Sequence, residues 1–154
     1  MENPEISREA ADLFNKAGLN ARSEANIEAE LWMKGIINAS INPLTAILGC
    51  QNGEILKDEG VLGISHLACR EAIVVAEKIG VHLPPGDPFM KVKEVMRETA
   101  NNRSSMLQDL EHGKRTEIDE INGEIVQKAK KVGVPVPVNR TLWTLVRGLE
   151  QRAF

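Results

Sequence analysis

The sequence holds no tyrosine and only 3% aromatic residues. Base-stacking platforms for single-stranded nucleic acid and aromatic sugar clefts therefore have little material here. Positive charge is not in excess: 19 Lys and Arg stand against 22 Asp and Glu, a net charge of −3, which argues against a basic nucleic-acid footprint. No Gly-x-Gly-x-x-Gly and no Walker-type loop occurs, so no phosphate cradle is visible. The two cysteines, Cys50 and Cys69, fall at no metal-like spacing and read as small buried hydrophobes in a reducing, cytoplasmic setting. His66, His82 and His112 are isolated from one another and read as structural or solvent-facing, so no metal site is expected. The opening Met-Glu-Asn-Pro-Glu lacks the charged-apolar-small order of a secretory signal.

What is present suits one globular core. The 154 residues, 42% hydrophobic and 27% charged, match the usual size and make-up of a single domain. Leu31 to Gly53 carries Lys34 as its only charged side chain. That length could span a membrane. However, Asn38, Asn42, Pro43, Gln51 and Asn52 interrupt it at high cost in lipid, so it reads as buried in protein.

Helical signals follow one another along the chain. Ile6 to Ala17 has apolar residues at helical spacing and Gly18 as a stop, and Leu19 to Ser23 is short enough for a strand or a loop. A helix is expected from Asn26 to about Ser40, broken at Asn42-Pro43. Others are expected over 58–79, 88–99, 117–132 and 139–152, with a loop at 82–88. Ser105 to Gln108 matches a capping box. Period-two alternation is never sustained, so the fold class is all-α.

Three features could hold chemistry. Lys34, Asn38 and Asn42 recur every four residues on an apolar helix, so they share a face. Buried amides need partners, at a cost of roughly 1–3 kcal/mol each if unmade. Either an amide network between helices satisfies them or a polar ligand does. A lysine buried there would lose basicity and could hand a proton to a forming alkoxide; otherwise it would snorkel to the surface. Next, Asn101 to Asp109 places serines at a helix start, suited to capping or to a carboxylate. Finally, Arg115 to Gly123 places Glu117 and Asp119 where a helix favours acids. Gly123 inside that helix points to close packing or a bound group.

Together these segments resemble the ketopantoate reductases. Trp32-x-Lys34, Asn38, Asn42-Pro43-Leu44-Thr45-Ala46 and Asn52-Gly53-Glu54 resemble the start of that family's C-terminal domain. Ser104 to Asp109, Arg115 to Asp119 and Ile121-Asn122-Gly123 resemble a second signature, and Gly133 to Asn139 a third. The resemblance covers roughly residues 26–150. It implies an all-helical bundle of the 6-phosphogluconate-dehydrogenase C-terminal type and NADPH-dependent reduction of ketopantoate to pantoate. It further implies Lys34 as proton donor and Asn38, Asn42, Asn52 and Ser105 as substrate-binding groups, with Glu117 on the cofactor side.

On this resemblance, residues 1–25 are the remnant of a dinucleotide-binding Rossmann domain and 26–154 the substrate domain. NADPH would be held mainly by that other domain, so the chain alone is expected to be inactive. The implied partners are ketopantoate and the Rossmann domain. Two alternatives stay open: a non-catalytic helical module that forms a homodimer, and the substrate domain of a reductase for another 2-oxo acid.

Overall fold

The computed structural model describes residues 4–153. Among them are seven α-helices and no strand: α1 (Pro4–Lys16), α2 (Ile27–Leu48), α3 (Glu59–Lys78), α4 (Pro88–Glu98), α5 (Ser105–Glu111), α6 (Glu124–Val132) and α7 (Pro137–Ala153). A 3₁₀ turn, Asn52–Lys57, joins α2 to α3, and a π-helical turn, Asp119–Gly123, leads into α6. The all-α expectation holds.

Local chemistry sets most boundaries. Asn26 and Asp58 cap α2 and α3 by accepting from Ala29 N and Val61 N, and Asp87 caps α4, whose first residue is Pro88. Gly49 and Gly133 end α2 and α6 at φ of 66° and 71°, a left-handed conformation that side chains with a Cβ resist.

The expected break at Asn42-Pro43 does not occur: α2 runs through Pro43 to Leu48. A proline removes the N–H that would reach the carbonyl four residues back, here that of Ala39. Asn122 Nδ2 donates to that carbonyl instead, at 3.2 Å, and Thr45 Oγ1 bonds Asn42 O at 3.0 Å. Side chains thus supply bonds that keep the helix continuous.

Three other expectations shift. The strand considered at Leu19–Ser23 is irregular chain: Asn15 donates to Ala21 O and accepts from Ala21 N, each at 2.9 Å, doing what a neighbouring strand would do. The helix expected from Glu117 begins at Asp119 as the π turn, with Gly123 N bonded to Ile118 O at 3.0 Å. The last helix begins at Pro137 rather than Asn139, because the Glu71 carboxylate from α3 accepts from Val138 N and Asn139 N, each at 2.9 Å.

The apolar centre of α2 is the core of the bundle. Ile36, Ala39, Ile41 and Leu44 pack with Ala68, Cys69, Ala72 and Val75 of α3, Val92 and Met96 of α4, and Ile125 and Leu142 of α6 and α7. Each fully buried aliphatic side chain contributes about 1.5–3 kcal/mol. A second cluster joins Ala46, Met106, Ile118 and Val146, tying α2, α5, the chain before the π turn and α7 together. Cys69 is buried as expected, and burial pushes its thiol up to about 11; Cys50 is half-buried. No described helix is long and apolar enough to cross a membrane. Helix α1 packs on none of the other helices.

Candidate functional site

Helix α2 carries Lys34, Asn38 and Asn42 along one side. Eight residues at 1.5 Å each put about 12 Å between the first and the last. Exposure falls along that line: Lys34 is exposed, Asn38 half-buried and Asn42 buried at 8%. Of the two readings open for Lys34, buried or reaching the surface, the structure has the second.

Among the described residues, Lys34, Asn38 and Asn42 have no side-chain hydrogen bond or ion pair. Among the described residues, the buried side-chain atoms without a partner are Asn52 Oδ1, Ser65 Oγ and Asn122 Oδ1. The Asn38 and Asn42 amides are absent from that set, so they reach the surface while bonding nothing in the protein. The amide network considered for them exists, but Asn122 and Asn139 build it. Asn122 Nδ2 donates to Asn139 Oδ1 at 3.0 Å, and Asn139 Nδ2 donates to Ala68 O and Glu71 Oε2 at 3.0 and 2.8 Å.

Asn52, Ser105 and the Asn42 end of α2 meet through their neighbours. Asn52 N and Gly53 N donate to Asn102 O and Ala100 O, each at 3.0 Å. Thr45 Oγ1 and Ser104 Oγ are hydrogen-bonded at 2.7 Å. Segment 99–105 is thereby held between the 3₁₀ turn and α2. Asn52 Nδ2 donates to Thr99 Oγ1 at 2.9 Å, and the Thr99 hydroxyl donates to Val95 O at 2.6 Å. That spends the single Thr99 hydrogen, so Thr99 can only accept from Asn52, and the amide orientation follows.

The helix cap expected at Ser105 is Ser104, whose Oγ accepts from Leu107 N at 3.1 Å. Gln108 Nε2 reaches back to Arg103 O at 2.8 Å. Ser105 is the first residue of α5 and is exposed, so its hydroxyl is spared from capping.

Glu117 is also exposed, with no side-chain partner among the described residues. Its neighbours are fixed to α7. Glu150 Oε1 accepts from Thr116 N and Oγ1 at 2.7 and 2.8 Å, and Asp119 Oδ1 accepts from Trp143 Nε1 at 2.6 Å. The Trp143 bond, with Arg115 and Arg147 beside it, holds the Asp119 carboxyl below its ordinary value. A Cβ on Gly123 would lie 3.0 Å from Trp143 Nε1, so close packing accounts for that glycine.

Sequence reasoning missed the supporting residues Thr45, Ser104, Thr99, Glu71 and Asn139. One signal was available: a proline inside a helix leaves a carbonyl that needs a donor. Three surface grooves are present among the described residues: one of about 440 Å³ beside the site, lined by Asn102, Arg103, Gln108, Glu111 and His112; one of about 370 Å³ lined by Leu48, Ile64 and Leu145 among others, with no charged wall; and one of about 210 Å³ that runs past Trp32, Gly35 and Lys128.

The family model described as "Ketopantoate reductase PanE/ApbA C terminal" matches residues 26–150. The chain is 42% identical over 140 residues to a 2-dehydropantoate 2-reductase of Archaeoglobus fulgidus, covering 91% of this chain and 47% of that protein. It is also 42% identical over 126 residues to the one of Escherichia coli O157:H7, covering 81% and 40%. The crystal structure of a PanE/ApbA family ketopantoate reductase from Ralstonia eutropha superposes with a TM-score of 0.89 at 36% identity, over 94% of this chain and 48% of that one. The chain spans about half the length of the curated relatives it matches.

Proposed function

The chain belongs to the ketopantoate reductase family, and from that premise we propose that it forms the substrate side of a 2-oxo-acid reductase, with ketopantoate as substrate and the cytoplasm as its setting. The observation that carries this reading is the row Lys34, Asn38 and Asn42. It offers one ammonium and two amides that bond nothing in the protein yet reach its surface. An amide kept for structure is normally bonded when buried. Asn52 Oδ1, enclosed and also unpartnered, and the free Ser105 hydroxyl, both linked to α2 through segment 99–105, add an acceptor and a donor.

On this reading Asn38, Asn42, Asn52 and Ser105 hold the carboxylate and hydroxyl of the acid. Lys34 gives a proton to the carbonyl oxygen as the carbon gains hydride, so charge is neutralised where it forms. NADPH, when bound, supplies that hydride. Glu117 fits the cofactor's edge because its exposed carboxylate is unpaired and can accept from sugar hydroxyls. The chain has no glycine-rich loop, so the phosphates are held by a dinucleotide-binding domain. Residues 1–25 belong with that domain. Helix α1 supports this: Ile6, Leu13 and Phe14 are 63%, 68% and 51% exposed and await an apolar partner.

The test is a titration of the chain with ketopantoate, followed by NMR of the side-chain amides. Shifts at Asn38, Asn42 and Asn52 that vanish in Lys34→Ala and Asn38→Ala are expected; no response at millimolar acid would overturn the reading. Repeating it with 3-methyl-2-oxobutanoate, which lacks the hydroxyl, separates ketopantoate from simpler 2-oxo acids.

A further inference from the structure

We infer that Asn122 is a positioning residue for the Asn38–Asn42 row, supplying the backbone donor that Pro43 lacks; the inference rests on the site proposed above. Pro43 stands in the middle of α2, between the row and Thr45. Its ring crowds the Ala39 carbonyl and offers it no N–H. Unrepaired, the helix would kink between Asn38 and Asn42, and the two amides would no longer face one ligand. Asn122 Nδ2 meets that carbonyl at 3.2 Å from the π turn, on a side chain that is 0% exposed.

The direction of this bond is dictated from the far side of the bundle. The Glu71 carboxylate accepts from Val138 N, Asn139 N and Asn139 Nδ2. An ionised carboxylate only accepts, so Asn139 must turn its NH₂ toward Glu71 and Ala68 O. Asn139 Oδ1 then faces Asn122 and demands a donor. Asn122 must present its own NH₂, and the second hydrogen of that group reaches Ala39 O. The order Glu71, Asn139, Asn122, Ala39 links α3, α7, the π turn and α2 by bonds with one allowed polarity. The π turn itself, closed by Gly123 N on Ile118 O, carries Asn122 where a widened helical turn is often found, beside a site.

The test is a double-mutant cycle. Asn122→Leu is made with Pro43 and with Pro43→Ala, where residue 43 regains an N–H for Ala39 O. Hydrogen exchange over residues 41–47 and the side-chain resonances of Asn38 and Asn42 are read for all four proteins. With Pro43 in place, Asn122→Leu should speed exchange in that stretch at least tenfold, displace both resonances and weaken ketopantoate about tenfold, the worth of one bond. With Pro43→Ala the same substitution should change the readings at the row less than threefold, the loss at Asn139 Oδ1 being common to both backgrounds and cancelling in the cycle. Equal losses in both backgrounds, or failure of both Asn122→Leu proteins to fold, would overturn the inference, since residue 43 would then have replaced nothing. If no protein responds to ketopantoate while the exchange pattern appears as expected, the substrate reading fails and the role of Asn122 stands.

Discussion

Thr45 Oγ1 and Ser104 Oγ share a hydrogen bond of 2.7 Å across 59 residues of chain. Ser104 Oγ also accepts from Leu107 N, so one oxygen both caps α5 and anchors it to α2. Ser105, next in sequence, is exposed and its hydroxyl bonds no described residue. Opposite outcomes follow for two neighbouring serines. Ser104→Ala should lower unfolding free energy in urea by about 1–2 kcal/mol, the usual loss with a helix cap. Ser105→Ala should stay within about 0.5 kcal/mol, as surface changes do, yet weaken ketopantoate in a titration. Equal stability losses for the two would contradict this division of labour.

Gly53 packs against the end of α4 so closely that an added Cβ would lie 2.7 Å from Ala100 Cβ and 2.9 Å from Ala100 Cα. The Cα and carbonyl of Ala100 cannot rotate away. Gly53→Ala should therefore cost about 1–3 kcal/mol, typical of overpacking, and push the 3₁₀ turn off segment 99–102. Asn52 would lose its hold on Thr99, so its side-chain amide resonance should move even without ligand. An unmoved resonance would show that the turn absorbs the methyl.

Asp119 gives a pH dependence whose sign can be worked out. The Trp143 bond, with Arg115 and Arg147 nearby, lowers its pKa from the ordinary value of 3.8. A carboxylate with a depressed folded pKa adds stability above its unfolded value, and that stability is lost as pH falls through the folded one. The contribution should be fully present above pH 3.8 and disappear below it. Asp119→Asn should be less stable than the parent at neutral pH, with the gap closing in acid. Urea midpoints across acidic pH measure this, and a gap independent of pH would refute it.

Element type was legible in the sequence, while element ends depended on contacts between distant residues. The helix starts near residues 58 and 88 and the end near 132 were legible, because the caps found there, Asp58, Asp87 and Gly133, act locally. The run of α2 through Pro43 was not legible, because its donor lies on Asn122, 83 residues away from Ala39. The start of α7 shifted for the same reason: Glu71 stands 67 residues from Val138. At the site, the spacing of Lys34, Asn38 and Asn42 marked a shared helix face, but depth along it was not marked. Apolar neighbours in sequence left burial of Lys34 open, because cover depends on which helices cross α2 at that level.

Two buried asparagines provide the sharpest contrast. Asn139 is 0% exposed and Asn42 8%, so burial alone would rank them together. Asn139 bonds Ala68 O, Glu71 and Asn122, and removing it strands several groups at about 1–3 kcal/mol each. Asn139→Ala should therefore cost about 3 kcal/mol or more and lower the melting temperature sharply. The Asn42 amide bonds nothing in the protein. Asn42→Ala should cost under about 1 kcal/mol, because it loses side-chain packing and no hydrogen bond. Its effect should instead fall on ketopantoate, weakened about tenfold for one neutral bond. Calorimetry on the two variants, paired with the same titration, separates an amide that builds the bundle from one held ready for a ligand. If Asn42→Ala proved as destabilising as Asn139→Ala, the row on α2 would be structural and the proposed site would lose its main support.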